Sequence, residues 1–158
     1  MTETELLAQG EVVQTFLRDL LDAFGLAGDV SVTPADEGAV ELAVTGEDLG
    51  LLIGPKGQTL QAVQELSRSV LQRQLPGEAH ARIRVDVGGY RERRKDALQR
   101  FVRQIAEDVR SAGVQKALEP MSPPDRKIVH DTVNEIEGVR TMSEGEDDRR
   151  RVVILPDS

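Results

Sequence analysis

The sequence predicts an α+β fold made of two small domains joined by a long helix. Three observations carry this. Helical and strand periodicities alternate over the first 88 residues in the order helix, strand, strand, short helix, helix, strand. A Gly88-Gly89 pair breaks the pattern before a long helix, and the remainder reads as one more helix and an antiparallel hairpin. A length of 158 residues suits one ample domain or two small ones. The expected limits are 1–88 and 89–157, the second domain including the joining helix at about 90–111.

The first helix is expected over about Glu11–Gly25, where Val12, Phe16, Leu20 and Phe24 recur every four residues. Strand Asp29–Thr33 places Val30 and Val32 on one face, and strand Val40–Val44 does the same with Val40, Leu42 and Val44. Pro34-Ala35-Asp36-Glu37-Gly38 between them is turn chemistry, which makes a hairpin. Glu47-Asp48-Leu49 opens a short helical turn that carries Leu51, Leu52 and Ile53 into Gly54-Pro55-Lys56-Gly57. The next helix, about Gln58–Gln74, is expected to bury Leu60, Val63, Leu66, Val70 and Leu71, and Gln74-Leu75-Pro76-Gly77-Glu78 ends it.

A third strand, Ala81–Val87, alternates strictly: Ile83, Val85 and Val87 point one way, Arg82, Arg84 and Asp86 the other. The joining helix, about Tyr90–Ser111, carries Leu98, Phe101, Val102, Ile105 and Val109 on one stripe. Its other faces hold Arg91, Arg93, Arg94, Lys95, Arg100 and Arg103. A short extended piece, Lys116–Leu118, leads to Ser122-Pro123-Pro124-Asp125, a helix start with Ser122 as N-cap and Pro123 at the first helical position. That helix runs to about Glu135. The closing hairpin pairs Val139–Met142 with Arg150–Leu155 across Glu144-Gly145-Glu146-Asp147-Asp148.

Composition narrows the function classes. With 39% hydrophobic and 30% charged residues a buried core is feasible, which argues against wholesale disorder. The absence of Cys excludes a disulfide framework and a thiolate metal site, and suits a reducing compartment. No apolar run approaches the length of a membrane span, and Met1-Thr2-Glu3-Thr4-Glu5 is acidic where a signal peptide is basic. A cytoplasmic protein without direct membrane insertion is expected. The net charge of −8 argues at first against a nucleic-acid partner. Its distribution changes that: residues 1–50 hold eleven acids and one base, residues 51–110 twelve bases and seven acids, residues 111–158 seven bases and ten acids. Phosphate affinity follows the local field, so the basic middle matters more than the total. An ordinary solvated helix face would look the same, and charge alone decides nothing.

Two places carry candidate chemistry. In Gly54-Pro55-Lys56-Gly57 the glycines let the backbone bend tightly and approach a ligand without a Cβ in the way. The helix that follows directs free N–H groups and its positive dipole end at the loop, and Lys56 adds a mobile cation. Together these favour a phosphate, although a lone G-x-x-G serves equally as a structural turn. Farther on, Arg126 and His130 are four residues apart on one helix face. Arg126 and Lys127 stand in the first turns, where cations oppose the helix dipole, which hints at a bound anion. A charged surface turn, with a histidine satisfied by a neighbouring carbonyl, remains the alternative. At both helix starts, exposed amides helped by cations are expected to hold an unpaired strand.

Catalysis finds little support. There is no Cys nucleophile, the only histidines are His80 and His130, and the acidic hairpin lacks calcium-loop spacing. No metal or cofactor ligand set is read. A nucleotide-binding P-loop requires Lys directly after its final Gly, where Gln58 stands, so an ATPase reading fails.

With Leu51-Leu52-Ile53 ahead of it, a helix behind it and αββααβ around it, the G-x-x-G segment resembles a KH domain of the type II arrangement. That resemblance implies that Gly54, Pro55, Lys56 and Gly57 clamp the backbone of about four nucleotides, while a groove including Ile53, Leu60 and the adjacent strand receives bases. Pro55 departs from the family, many members of which carry a basic residue there. Leu118-Glu119-Pro120-Met121-Ser122-Pro123-Pro124-Asp125-Arg126-Lys127-Ile128-Val129-His130, followed by Val139-Arg140-Thr141-Met142-Ser143-Glu144-Gly145-Glu146, resembles the R-3-H domain, an α/β unit with a small antiparallel sheet named for its Arg-x-x-x-His pair and associated with single-stranded nucleic acids. The ending Arg149-Arg150-Arg151-Val152-Val153-Ile154 agrees with its last strand, and Gly89-Tyr90-Arg91-Glu92-Arg93-Arg94 marks the joining helix.

A KH domain followed by an R-3-H domain is the arrangement of the bacterial Jag family (also called KhpB or EloR), and the resemblance runs from about Glu11 to Pro156. It implies a non-enzymatic RNA-binding protein, an RNA chaperone or post-transcriptional regulator linked to cell elongation and envelope homeostasis. Single-stranded RNA, with DNA as the alternative, would meet Ile53, Gly54, Pro55, Lys56, Gly57, Arg91, Arg94, Arg126, Lys127 and His130. A small KH protein or a second copy of the chain are the implied protein partners. The competing reading is an interaction scaffold that uses its KH surface for dimerisation. Many family members carry an extra N-terminal domain linked to the membrane side of the cell, for which this chain leaves no room. Phe16, Phe24 and Phe101 match core stripes, so aromatic stacking is expected to contribute little.

Overall fold

Helix α1 (Glu3–Ala23) begins well ahead of the expected Glu11, where Thr2 and Glu5 form a capping box. The Thr2 hydroxyl accepts from the Glu5 amide at 3.2 Å, and the Glu5 carboxylate accepts from the Thr2 amide at 2.6 Å. The computed structural model describes residues 1–157, and in it the chain divides into two units, Met1–Arg91 and the part from Glu92 onward.

In the first unit, β1 (Gly28–Ala35) pairs antiparallel with β2 (Ala39–Gly46), and β2 pairs parallel with β3 (Arg82–Val87), giving the order β1-β2-β3. The hairpin strands are longer than their alternation predicts. Pro34 lies inside β1, and the turn shrinks to Asp36–Gly38, with Glu37 in the left-handed region. Val30, Val40, Leu42, Val44, Ile83, Val85 and Val87 line the inner face, covered by α1 and α2 (Gln58–Gln74). The short helix ahead of the G-x-x-G segment is a single 3₁₀ turn, Leu49–Leu52.

Two helices bury different residues from those their periodicity suggests. On α1 the buried stripe is Leu6, Gly10, Val13, Leu17 and Leu21, one position on from Val12, Phe16 and Leu20, and Phe24 is exposed. Gly10 sets this phase: a Cβ there would stand 2.5 Å from Val32 Cγ1 and 2.7 Å from Val40 Cγ1, so only a bare backbone lets the helix reach the sheet. On α2, Leu66 is exposed, while Gln64 and Ser67 are buried beside Leu60, Val63 and Leu71.

Gln64 is inside because β3 has a neighbour on one side only. Its side-chain amide donates to Ile83 O and accepts from the Val85 amide at 2.7 Å. Gln9 of α1 repeats the arrangement on the segment just before β3, donating to Ala79 O at 2.8 Å and accepting from the Ala81 amide at 2.7 Å. Two glutamines thus stand where a fourth strand would, which satisfies backbone groups that burial would otherwise leave unpaired.

The second unit contains most of α3 (Tyr90–Ala112), then β4 (Lys116–Ala117), α4 (Pro123–Asn134), β5 (Val139–Glu144) and β6 (Arg151–Pro156). Its sheet is antiparallel in the order β4-β6-β5. Leu98, Val102, Ala106 and Val109 of α3 meet Leu118, Val129, Val133, Val139, Val152 and Ile154 in the core. Phe101, expected on that stripe, is 49% exposed, and the small Ala106 lies at the contact instead. Buried Asp125 pairs with Arg94 at 3.1 Å and ties α4 to α3.

Candidate nucleic-acid interface

The G-x-x-G segment is a tight turn whose glycines are both required. Ile53 and Gly54 donate their amides to Gly50 O at 3.1 and 3.0 Å, closing the preceding 3₁₀ turn. Gly54 then takes φ +71°, ψ 178°, a region essentially reserved for glycine. A Cβ there would collide with Thr59 Oγ1 and lie 3.0 Å from the Thr59 amide nitrogen. Gly57, at φ +75° and ψ 16°, is left-handed, and a Cβ on it would stand 2.7 Å from Tyr90 Cε1. Between them Lys56 is itself left-handed at φ +54°, which puts an exposed lysine at the tip of the loop, just ahead of α2.

The expectation of free amides at the start of α2 is narrowed here. The Gly57 amide donates to Gly54 O at 3.2 Å, the Gln58 amide to Pro55 O, and the Leu60 amide to Ile53 O at 3.0 Å. The loop's own carbonyls thus take these three donors. Among the described residues the Thr59 amide makes no such bond, so that donor, the lysine charge and the positive end of the α2 dipole are what can attract a phosphate. Leu60 is also corrected. At 3% exposed it belongs to the core, whereas Ile53 is half-buried and Leu51 is 59% exposed, so the apolar surface beside the loop comes from the Leu49–Leu52 turn and Ile53.

The start of α4 also offers few amides. Ser122 sits at the N-cap in an extended conformation, but its hydroxyl makes no capping bond. Pro123 and Pro124 have no N–H, and the Arg126 amide is bonded to Ser122 O at 3.0 Å, so among the described residues the amides of Ser122 and Asp125 are left. Among the side chains, the half-buried Arg126 guanidinium turns back to donate to Met121 O. Lys127 pairs with Asp131 at 2.8 Å while 79% exposed, a contact of small strength. Both nitrogens of the half-buried His130 ring are engaged, Nδ1 with Thr141 Oγ1 at 2.6 Å and Nε2 with Ser143 Oγ at 2.8 Å. The fold therefore places Arg126, Lys127 and His130 on one helix but gives each a different partner, and the histidine meets hydroxyls rather than a carbonyl.

The cations expected at the start of α3 are likewise committed within their own units. Arg91 donates from Nε to Val85 O at 3.0 Å and approaches Gln64 Oε1 at 3.4 Å, and Arg94 holds Asp125. The basic middle of the chain is also partly cancelled. Arg82 meets Glu37 at 3.0 Å, Arg84 meets Glu41 at 3.4 Å, Arg68 meets Glu65, Arg103 meets Glu135, and Arg110 meets Glu107. Each exposed pair contributes little stability, but together they weaken the field that the segment's net charge suggests. Thr141 and Ser143 are functional candidates that the sequence reading misses. The strand alternation holds the signal, since Val139 pointing inward puts 141 and 143 on the same face. Among the described residues no group of three or more His, Asp or Glu is placed to hold a metal ion, and no helix is long and apolar enough to cross a membrane.

Comparison with known proteins adds to this geometry. A family model described as KhpA/KhpB, KH domain matches residues 11–87, and one for the R-3-H domain matches residues 96–156. The chain is 36% identical over 140 residues to the RNA-binding protein KhpB of Clostridium symbiosum, covering 88% of this chain and 62% of that protein. It is 35% identical over 141 residues to the protein of the same name from Bacillus subtilis, covering 88% and 66%. For Lactiplantibacillus plantarum the figures are 32% over 160 residues, 97% and 49%. The chain thus spans about half to two thirds of the length of these curated relatives.

Proposed function

We propose, because this chain belongs to the KhpB (Jag) family and carries its KH and R-3-H domains in order, that it binds single-stranded RNA as a non-enzymatic cytoplasmic protein. The observation that carries the reading is the Gly54–Gly57 turn, with both glycines at positive φ and an exposed lysine between them at the start of α2. A backbone that must come this close to a neighbour, and a cation at its tip, suit a sugar-phosphate chain. Ile53 and Leu51 beside it give bases an apolar surface. The α4–β5 face of the second unit supplies a second contact region. A role as RNA chaperone or post-transcriptional regulator in cell elongation and envelope homeostasis belongs to the same proposal.

The paired cations shape the expected binding. With one cationic phosphate contact, at Lys56, log affinity should fall against log salt with a slope of about −0.7 for a single strand. Titrating a labelled single-stranded RNA and its duplex with the full chain tests this. Preference for the single strand with a shallow salt slope supports the reading, and no uptake even in dilute buffer overturns it. A second reading, dimerisation with another copy or a small KH protein, is favoured by Leu66, which is 51% exposed on α2. Leu66→Glu should abolish a dimer seen by light scattering if that face forms it.

A further inference from the structure

The His130 ring is held from both ends by one strand. Thr141 and Ser143 lie two residues apart on β5, so both hydroxyls fall on the face that meets α4. A neutral imidazole has one N–H and one bare nitrogen, so it donates to one hydroxyl and accepts from the other. The hydroxyl that accepts keeps its own proton spare. An imidazolium would donate to both and leave both hydroxyl protons spare. Neither hydroxyl makes another hydrogen bond among the described residues. In every protonation state, then, the trio presents at least one O–H with no acceptor, its oxygen fixed by the ring. Thr141, Ser143 and His130 are each only half-buried, so this donor lies within reach of a ligand.

We propose that the hydroxyls of Thr141 and Ser143 are the groups of the second unit that touch the bound strand, donating to a phosphate oxygen, and that His130 is a positioning residue acting through them. The inference rests on the RNA-binding reading and deepens it. An O–H donated to an anionic oxygen is a charge-assisted bond. Because a hydroxyl carries no charge, it displaces no counterion, which separates its signature from that of a lysine.

The test uses the full chain and a labelled single-stranded RNA. Thr141→Val with Ser143→Ala removes both donors at nearly constant shape and should weaken binding about tenfold. The slope of log affinity against log salt should stay as in the unaltered chain. Thr141→Ser with Ser143→Thr keeps both hydroxyls and should bind like the original. In the unaltered chain the ring ¹⁵N resonances of His130 should move when RNA is added, a readout that holds even if the hydroxyl-free variant fails to fold. A folded hydroxyl-free variant with undiminished affinity overturns the inference, as do His130 resonances that stay fixed at saturating RNA. An unaltered chain that takes up no RNA overturns the RNA-binding reading itself, and this inference with it.

Discussion

Replacing Lys56 by Asp separates binding from folding more cleanly than any other change in the first unit. The residue sits at φ +54° in the left-handed region, where aspartate is several-fold more at home than lysine. It also stands one residue before the N-cap of α2, where a carboxylate gains about 0.3–1 kcal/mol from the helix dipole. Both effects favour the folded state and offset the loss of the lysine's own contact, so the thermal midpoint should shift little. Binding should weaken instead. The change removes one positive charge and adds one negative, a difference of two units. At about 5 Å from a phosphate in a water-like dielectric, each unit is worth about 0.8 kcal/mol, so the pair amounts to about 1.7 kcal/mol. Screening in dilute buffer trims this to roughly a tenfold loss of affinity, and the ratio shrinks as salt rises. The salt slope should flatten by about 0.7 for the lost contact. Fluorescence anisotropy with a labelled RNA, beside thermal unfolding followed by circular dichroism, reads both arms. Unchanged affinity together with an intact fold would refute the clamp.

Other outcomes follow from the same geometry. Gly54→Ala forces a side chain into a glycine-only region and against Thr59, and should cost about 3 kcal/mol of stability in a denaturant titration. Gln64→Leu leaves the Ile83 carbonyl and the Val85 amide without their buried partner and should lower stability by about 2–4 kcal/mol, seen as an earlier urea midpoint. Gln64→Glu restores only the acceptor and should recover part of that loss. The Glu5 carboxyl is held below its usual value, first by the Thr2 amide and then by the Thr2 hydroxyl. Its contribution is therefore complete above the unfolded carboxylate value and disappears as pH falls through the lower folded one. Protection against amide exchange, taken relative to the intrinsic rate at each pH, should fall in acid in the first turn of α1 and nowhere else in that helix.

Much of this architecture is legible in the sequence, and the failures have identifiable causes. The bounds of α2 follow directly because Gly57 and Leu75-Pro76-Gly77 delimit it, and the alternation of β3 leaves one orientation open. The phase of α1 is ambiguous, since Val12-Val13, Phe16-Leu17 and Leu20-Leu21 are apolar doublets that fit either face. Only the close approach of Gly10 to Val32 and Val40, a tertiary fact, selects one. Gln64 reads as a surface residue because its partner is a strand edge many positions away. At the site, the G-x-x-G glycines announce their positive φ values, but the spending of nearby amides depends on where the loop's own carbonyls fall. The hydroxyl partners of His130 depend on how α4 rests against β5, which no local pattern encodes.

The glutamines beside β3 have a consequence for assembly. Gln9 and Gln64, with Arg91 Nε on Val85 O, occupy the outward-pointing groups of that margin, so an incoming extended segment finds few docking points there. The opposite margin, β1, is touched in this way only at Val30 O, by Gln14 at 2.6 Å, among the bonds that side chains of the described residues make to it. Growth of the sheet by strand addition is therefore one-sided. Two such sheets meeting margin to margin through β1 would exhaust each other's open side, so that route ends at a closed pair and does not propagate into a fibre.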